Sequence, residues 1–289
     1  MNLTSPSQVK AWCIENGFHP NKVLGQNFLI DQNARNAIVD AGLAPRAGAA
    51  SPDEMNVLEI GPGLGVLTEE LLARGCRVTA IEKDPVLAER LPTAFGNPPN
   101  LTVVAGDALD WIARARAPQP PTTQPPNPQT SQPLSTFSHM VSNLPYQAGT
   151  RILLDLVQTR AIPSLTVLVQ TEVAERLAAE EGSKMRGLAG VWAQLDYDVK
   201  VVRKVSSSCF WPRPEIGSSV VRLDRHDRNV DLTAETRRIF HRLTKRAFEH
   251  RRKQLGSIFR DLIQSTRRAE ELSNAEWVAW ARELKSADV

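Results

Sequence analysis

The sequence predicts an α/β fold, a parallel sheet covered by helices on both faces, with a smaller, basic helical portion at its C-terminal end. Three observations carry that expectation. From about residue 56, short apolar strand patterns alternate with helical ones, the order that builds βαβ units. A glycine-dense loop, EIGPGLG (59–65), ends the first of these strands and leads into a helix, the place where such sheets bind ligands. Charge is uneven: residues 201–289 hold 19 Lys and Arg against 12 Asp and Glu, whereas residues 1–200 hold 16 against 20. A basic portion on a mildly acidic body fits one part that holds a small ligand and another that tracks a phosphate backbone. On charge alone, a solvated basic helical face remains an equal reading.

In chain order, Ser5 and Pro6 form an N-cap and first-turn pair and Asn16-Gly17 closes a short opening helix. After the glycine-containing loop KVLGQNFL (22–29), residues 31–42 carry Ala34, Ile38 and Val39 at helical spacing. NVLEI is a strand, VLTEELLARG a helix ending at Gly75, and RVTAIE a second strand about 20 residues after the first. A helix at 85–91, strands at 101–104 and 139–142, a helix at 150–158 and a strand at 165–170 continue the series. Between two of those strands, residues 117–133 carry seven prolines and no apolar pattern, which reads as an extended surface insertion without catalytic role.

A chain of 289 residues, 42% hydrophobic, has room for one large domain and a smaller one, here placed at 1–208 and 209–289. It has no apolar run of about 18 residues and its N-terminus lacks a basic-then-apolar leader, so a cytoplasmic protein is expected. Cys13, Cys76 and Cys209 form no CxxC pair and the five histidines are scattered, so neither a disulfide framework nor a metal site is expected. Nothing demands more than a monomer.

The glycine loop gives the first chemical signal. Its G-x-G-x-G spacing departs from the G-x-G-x-x-G that suits a pyrophosphate. Glu59, just before the glycines, would repel a pyrophosphate but can orient the loop around a zwitterionic sulfonium, which favours S-adenosylmethionine over NAD. Glu82 ends the next strand, where its carboxylate can accept hydrogen bonds from ribose hydroxyls. Asp107 follows the strand after that and can accept from an adenine amino group. The reaction is read from Asn143-Leu144-Pro145-Tyr146. An exocyclic adenine amine is a poor nucleophile because its lone pair is delocalised into the ring. The Asn143 side-chain oxygen can take one amino hydrogen, Pro145 biases Leu144 to an extended shape in which its carbonyl can take the other, and Tyr146 can stack on the base. Positioning and electrostatics then carry the catalysis.

KVLGQNFL, EIGPGLG, VTAIEKD, GDAL, SNLPYQ, FWPRPEIGSSVVRL and AFEHRRK resemble, in the same order, the motifs of the small-subunit rRNA adenine dimethyltransferase family. The resemblance covers nearly the whole chain. It implies a Rossmann-like class I methyltransferase sheet with a small helical C-terminal domain, and transfer of four methyl groups to two adjacent adenosines in a hairpin near the 3′ end of 16S rRNA, in ribosome biogenesis. It places Asn27, Leu29, Gly61, Gly63, Glu82, Asp107, Ala108 and Asn143 against the cofactor. It also places Phe210 where the family has a second aromatic packed on a flipped adenine, although spacing alone reads Phe210 as a core residue. WPRP after Phe210 and the proline-rich insertion depart from the family pattern.

The segment 235–260, rich in arginine with Ile239, Leu243, Ala247, Leu255, Ile258 and Phe259 as apolar anchors, is expected to be helical with one buried stripe. Its Arg246, Arg251, Arg252 and Lys253 are the expected contacts to rRNA phosphates, reading shape and not sequence. Two other functions share these features: a large-subunit rRNA adenine methyltransferase of the antibiotic-resistance type, against which KVLGQNFL and AFEHRRK speak, and a ribosome assembly factor. An NAD-dependent dehydrogenase fails on the glycine spacing and on the lack of a proton-relaying histidine near any motif.

Overall fold

The computed structural model describes residues 1–21, 24–46, 55–116, 132–260 and 262–285. In chain order its elements are α1 (Pro6–Glu15), β1 (Phe28–Leu29), α2 (Gln32–Leu43), β2 (Asn56–Ile60), α3 (Val66–Ala73), β3 (Arg77–Glu82), α4 (Pro85–Ala94), β4 (Leu101–Ala105), α5 (Ala108–Arg116), β5 (His139–Asn143), α6 (Gly149–Thr159), β6 (Ser164–Gln170), α7 (Thr171–Ala178), α8 (Leu188–Ala193), β7 (Tyr197–Val205), β8 (Phe210–Trp211), β9 (Ser218–Arg225), α9 (Ala234–Glu249), α10 (Leu255–Phe259) and α11 (Asn274–Glu283). The described residues include no helix long and apolar enough to cross a membrane.

Local signals set several of these boundaries. Asp31 caps α2 by accepting from the Ala34 N–H, and Asp84 caps α4 by accepting from Val86 and Leu87, with Pro85 in the first turn. Seven strands form one sheet in the order β4-β3-β2-β5-β6-β9-β7, and β1 pairs with β8 in a separate two-stranded ribbon. The pairs from β4 through β6 are parallel, and β9 returns antiparallel to β6 over seven residue pairs, Ser164↔Asp224 to Gln170↔Ser218. The central strands β2, β5 and β6 are buried almost end to end, which is why they read as continuous apolar runs. The α/β class expected from the sequence is the one observed.

The chain divides into two compact units, residues 1–174 with 200–224, and residues 175–199 with 225–289. This corrects the expected boundary after residue 208. Residues 218–224 stay with the sheet because β9 pairs along β6. Residues 175–199 join the helical unit because Val191 and Leu195 pack in one core with Ile239, Phe240, Leu243 and Trp277. The basic segment 235–260 is also not one helix: α9 stops at His250, whose carbonyl accepts from the Lys253 N–H at 2.8 Å, and α10 restarts after Gln254. Of the proline-rich insertion, residues 117–131 lie outside the described residues.

Candidate active site

Strand pairing opens the site. β2 bonds to β3 along its whole length, Asn56↔Arg77 to Ile60↔Ile81, but to β5 only at Val57↔His139 and Leu58↔Met140. Beyond that point the Ile60 N–H is taken by the buried Ser142 hydroxyl at 2.9 Å. β2 and β5 thus part at their carboxyl ends, at the point where strand order reverses, and a ligand crevice is expected there. A cavity lies at that place. All eight residues expected to hold the cofactor, Asn27, Leu29, Gly61, Gly63, Glu82, Asp107, Ala108 and Asn143, line it, as do Leu144, Pro145 and Tyr146.

The loop after β2 turns into α3 through Gly61, Gly63 and Gly65, all at positive φ (68°, 59° and 93°), a region that L side chains avoid. A Cβ on Gly63 would also come within 3.2 Å of the Phe28 ring. The loop is pinned by Glu82: the Gly63 N–H donates to one carboxylate oxygen and the Asp84 N–H to the other, each at 2.9 Å. Asp84 in turn accepts from the Gln26 amide at 2.8 Å, so the N-terminal loop, the β3 end and the glycine loop form one hydrogen-bonded chain. Sequence reasoning missed Gln26, Asp84 and Ser142 as site supports; only Asp84, before a proline, carried a local signal.

Two buried carboxyls stand at this end of the cavity. Burial pushes Glu59 up to about 8, opposed by the Thr68 hydroxyl that donates to it and reinforced by the neighbouring Glu82. Burial also raises Glu82, against the lowering effect of its N–H donors. Asp107 behaves oppositely: the Lys83 ammonium at 2.8 Å holds it below the usual carboxylate range, while its other oxygen caps α5 through the Leu109 N–H. The donor set suits a methionine-nucleoside with a sulfonium: a bare backbone loop for close approach and acidic groups for ribose, amine and cation, with Lys83 the one cation among the described residues that line the cavity.

At the end of β5, the Asn143 side-chain nitrogen donates to the Asn27 carbonyl at 3.3 Å. Only the amide nitrogen can make that bond, so the side-chain oxygen is left as the group free to accept. Gly25 packs on the same turn, where a Cβ would sit 3.4 Å from the Tyr146 nitrogen. Gly149, the first residue of α6, packs on Leu144, which a Cβ there would approach to 2.9 Å. Tyr146 is half-buried, and its hydroxyl lies 2.6 Å from that of Ser218.

Phe210 is not brought to the cavity. It is 2% exposed, pairs with Leu29 in the β1–β8 ribbon and belongs to the core of the first unit. In the structure it is therefore the core residue that spacing suggests. The four expected RNA contacts divide. The Arg246 guanidinium lies over the Phe259 ring, 5.3 Å from its centroid, and Arg251 donates to the Lys184 carbonyl and pairs with Glu270 at 3.6 Å, so both tie the helical unit together. Arg252 and Lys253 are exposed.

A family model described as ribosomal RNA adenine dimethylase matches residues 17–285. The chain belongs to that family. It is thus an enzyme of the rRNA adenine dimethyltransferases. A relative in Deinococcus radiodurans, named ribosomal RNA small subunit methyltransferase A, is 43% identical over 77% of this chain and 67% of its own length. One of the same name in Sphingopyxis alaskensis is 36% identical over 93% and 95%. Among solved structures, a dimethyladenosine transferase from Plasmodium falciparum superposes with a TM-score of 0.67 at 20% identity, covering 88% of this chain and 95% of that one. The 23S rRNA methyltransferase ErmE does so with 0.62 at 23%, covering 89% and 99%; both share the fold.

Proposed function

We propose that this rRNA adenine dimethyltransferase uses S-adenosylmethionine to convert two adjacent adenosines in a hairpin near the 3′ end of small-subunit rRNA to their N6,N6-dimethyl forms, acting in the cytoplasm during assembly of that subunit. The relatives' names support the small subunit as substrate, and the donor set of the cavity supports the cofactor. The observation that carries the reading is the orientation of Asn143, whose amide nitrogen donates to the Asn27 carbonyl and leaves its oxygen as the acceptor.

When bound, the cofactor supplies an electrophilic methyl group on a positively charged sulfur. The residues of the chain do the rest. Gly61 and Gly63 would admit it without side-chain obstruction, Glu82 would take the ribose hydroxyls and Asp107 the adenine amine, with Asn27 and Leu29 against it. Asn143 Oδ1 and the Leu144 carbonyl accept the two hydrogens of the target amine, which localises its lone pair, and Tyr146 stacks on the base. The proton leaves after the methyl group arrives, when the amine has become acidic, so no strong base is required. Catalysis rests on alignment and electrostatics.

Replacing Asn143 by Ala should lower methyl transfer at least about a hundredfold while cofactor affinity, measured by calorimetry, changes far less. Equal loss of both would contradict the role given to Asn143.

A further inference from the structure

The Tyr146 ring is tethered by a residue to which no role has so far been given. Its hydroxyl lies 2.6 Å from Ser218 Oγ. Ser218 is fully buried, at 0% exposure, and opens β9 directly opposite Gln170, the last residue of β6. The backbone on either side of it is anchored. The Gly217 carbonyl accepts from the Thr171 N–H at 3.0 Å, and the Ser219 hydroxyl lies 3.1 Å from that of Thr171. A Cβ on Gly217 would meet the Val205 carbonyl at 3.4 Å, so the strand approaches its neighbour closely there.

Stacking on a base uses the face of a ring and gains nothing from a hydroxyl. The Tyr hydroxyl lies on the Cβ–Cγ axis of the ring, so holding it leaves χ2 untouched and fixes instead the direction of that axis, which χ1 otherwise varies among its staggered wells. A hydrogen bond from the para position to a serine on an inner strand holds the ring axis in one direction, because a serine side chain has one rotatable carbon bond and its strand lies between β6 and β7. The Ser218 hydroxyl is buried, so removing the Tyr146 hydroxyl takes away a bond that the serine makes inside the fold.

We propose that Ser218 is a positioning residue: through the Tyr146 hydroxyl it fixes the axis and position of the ring against which the target adenine stacks, and so sets where the exocyclic amine meets the methyl donor. This rests on the functional reading above, and places one end of the β6–β9 pairing in control of base alignment.

The test is a double-mutant cycle in the full-length protein, with Ser218→Ala, Tyr146→Phe and the pair assayed on unmodified small ribosomal subunits. Each single change should lower kcat about tenfold, the weight of one buried hydrogen bond, with KM for S-adenosylmethionine moved less than about twofold. The double variant should be no slower than either single one, because both remove the same bond. Ring-labelled tyrosine gives a second readout: the chain has two tyrosines, and Ser218→Ala should shift the ring signals of Tyr146 and spare those of Tyr197. Losses that multiply in the pair, a cofactor KM that rises in step with the fall in kcat, or unshifted Tyr146 signals would overturn the proposal. A wild-type chain that methylates rRNA while Ser218→Ala matches it overturns this role alone; a wild-type chain that transfers no methyl group to rRNA overturns the functional reading and this role with it.

Discussion

Glu59 shows how one buried carboxyl couples the cofactor site to pH. At 1% exposure it sits behind the glycine loop with its pKa pushed from 4.5 to about 8. The folded chain therefore binds this proton more tightly than the unfolded chain does. Its contribution to stability is complete below about pH 4.5 and is lost as pH rises through about 8. The wild-type melting temperature should accordingly fall between pH 5 and 8 relative to that of Glu59→Gln, which keeps the shape and cannot ionise; parallel curves for the two proteins would disprove the buried neutral state. Most of the site's residues were legible in the sequence because they stand at strand ends within recognisable motifs: Gly61, Gly63, Glu82, Asp107 and Asn143. Ser142, Gln26 and Ser218 were not, since each acts on a partner 58 or more positions away, and no local pattern announces such a meeting. Phe210 stands apart: the resemblance assigns it to the flipped adenine, while the structure holds its ring in the core, paired with Leu29 in the β1–β8 ribbon.

Among elements, those with their own punctuation were readable. α1, α2 and α4 announce themselves by capping residues and prolines, and β2 through β6 by apolar runs between turn signals. β7 and β9 were not assigned as strands, because β9 earns its place by an antiparallel return onto β6, a long-range pairing that propensity does not encode. The break between α9 and α10 has no glycine or proline to mark it; the run HRRKQ is composed of residues that helices accept. In the helical unit, α8 packs so closely on α7 that a Cβ on Gly190 would run into the Arg176 carbonyl. Since that obstacle is backbone and cannot swing aside, Gly190→Ala should destabilise the protein by about 1–3 kcal/mol. Chemical denaturation would measure it, and an unchanged midpoint would show that the two helices have room to separate.

Over the whole molecule, the charge asymmetry of the sequence narrows once it is counted by unit: residues 175–199 with 225–289 hold 18 Lys and Arg against 15 Asp and Glu, and the sheet unit holds 17 against 17, so any preference for RNA rests on where the exposed cations stand and not on net charge. Arg252 and Lys253 are exposed, in contrast to Arg251, which is engaged within its own unit. Changing Arg252 and Lys253 to Glu should weaken binding to small-subunit rRNA at least about tenfold and lower the dependence of log affinity on log salt by about two, roughly one for each lost phosphate contact, with cofactor affinity unchanged. An unaltered salt slope would remove these two residues from the RNA interface.

The central claim, adenine dimethylation of small-subunit rRNA from S-adenosylmethionine, is tested most directly by one measurement. Purified, unmodified small and large ribosomal subunits are incubated separately with the protein and methyl-labelled S-adenosylmethionine, and the labelled nucleosides are separated by chromatography. The account predicts N6,N6-dimethyladenosine from the small subunit alone, in a fragment containing the 3′ end. Label in large-subunit rRNA would instead indicate an enzyme of the resistance type, and no label in either subunit would contradict the account and leave a role in subunit assembly.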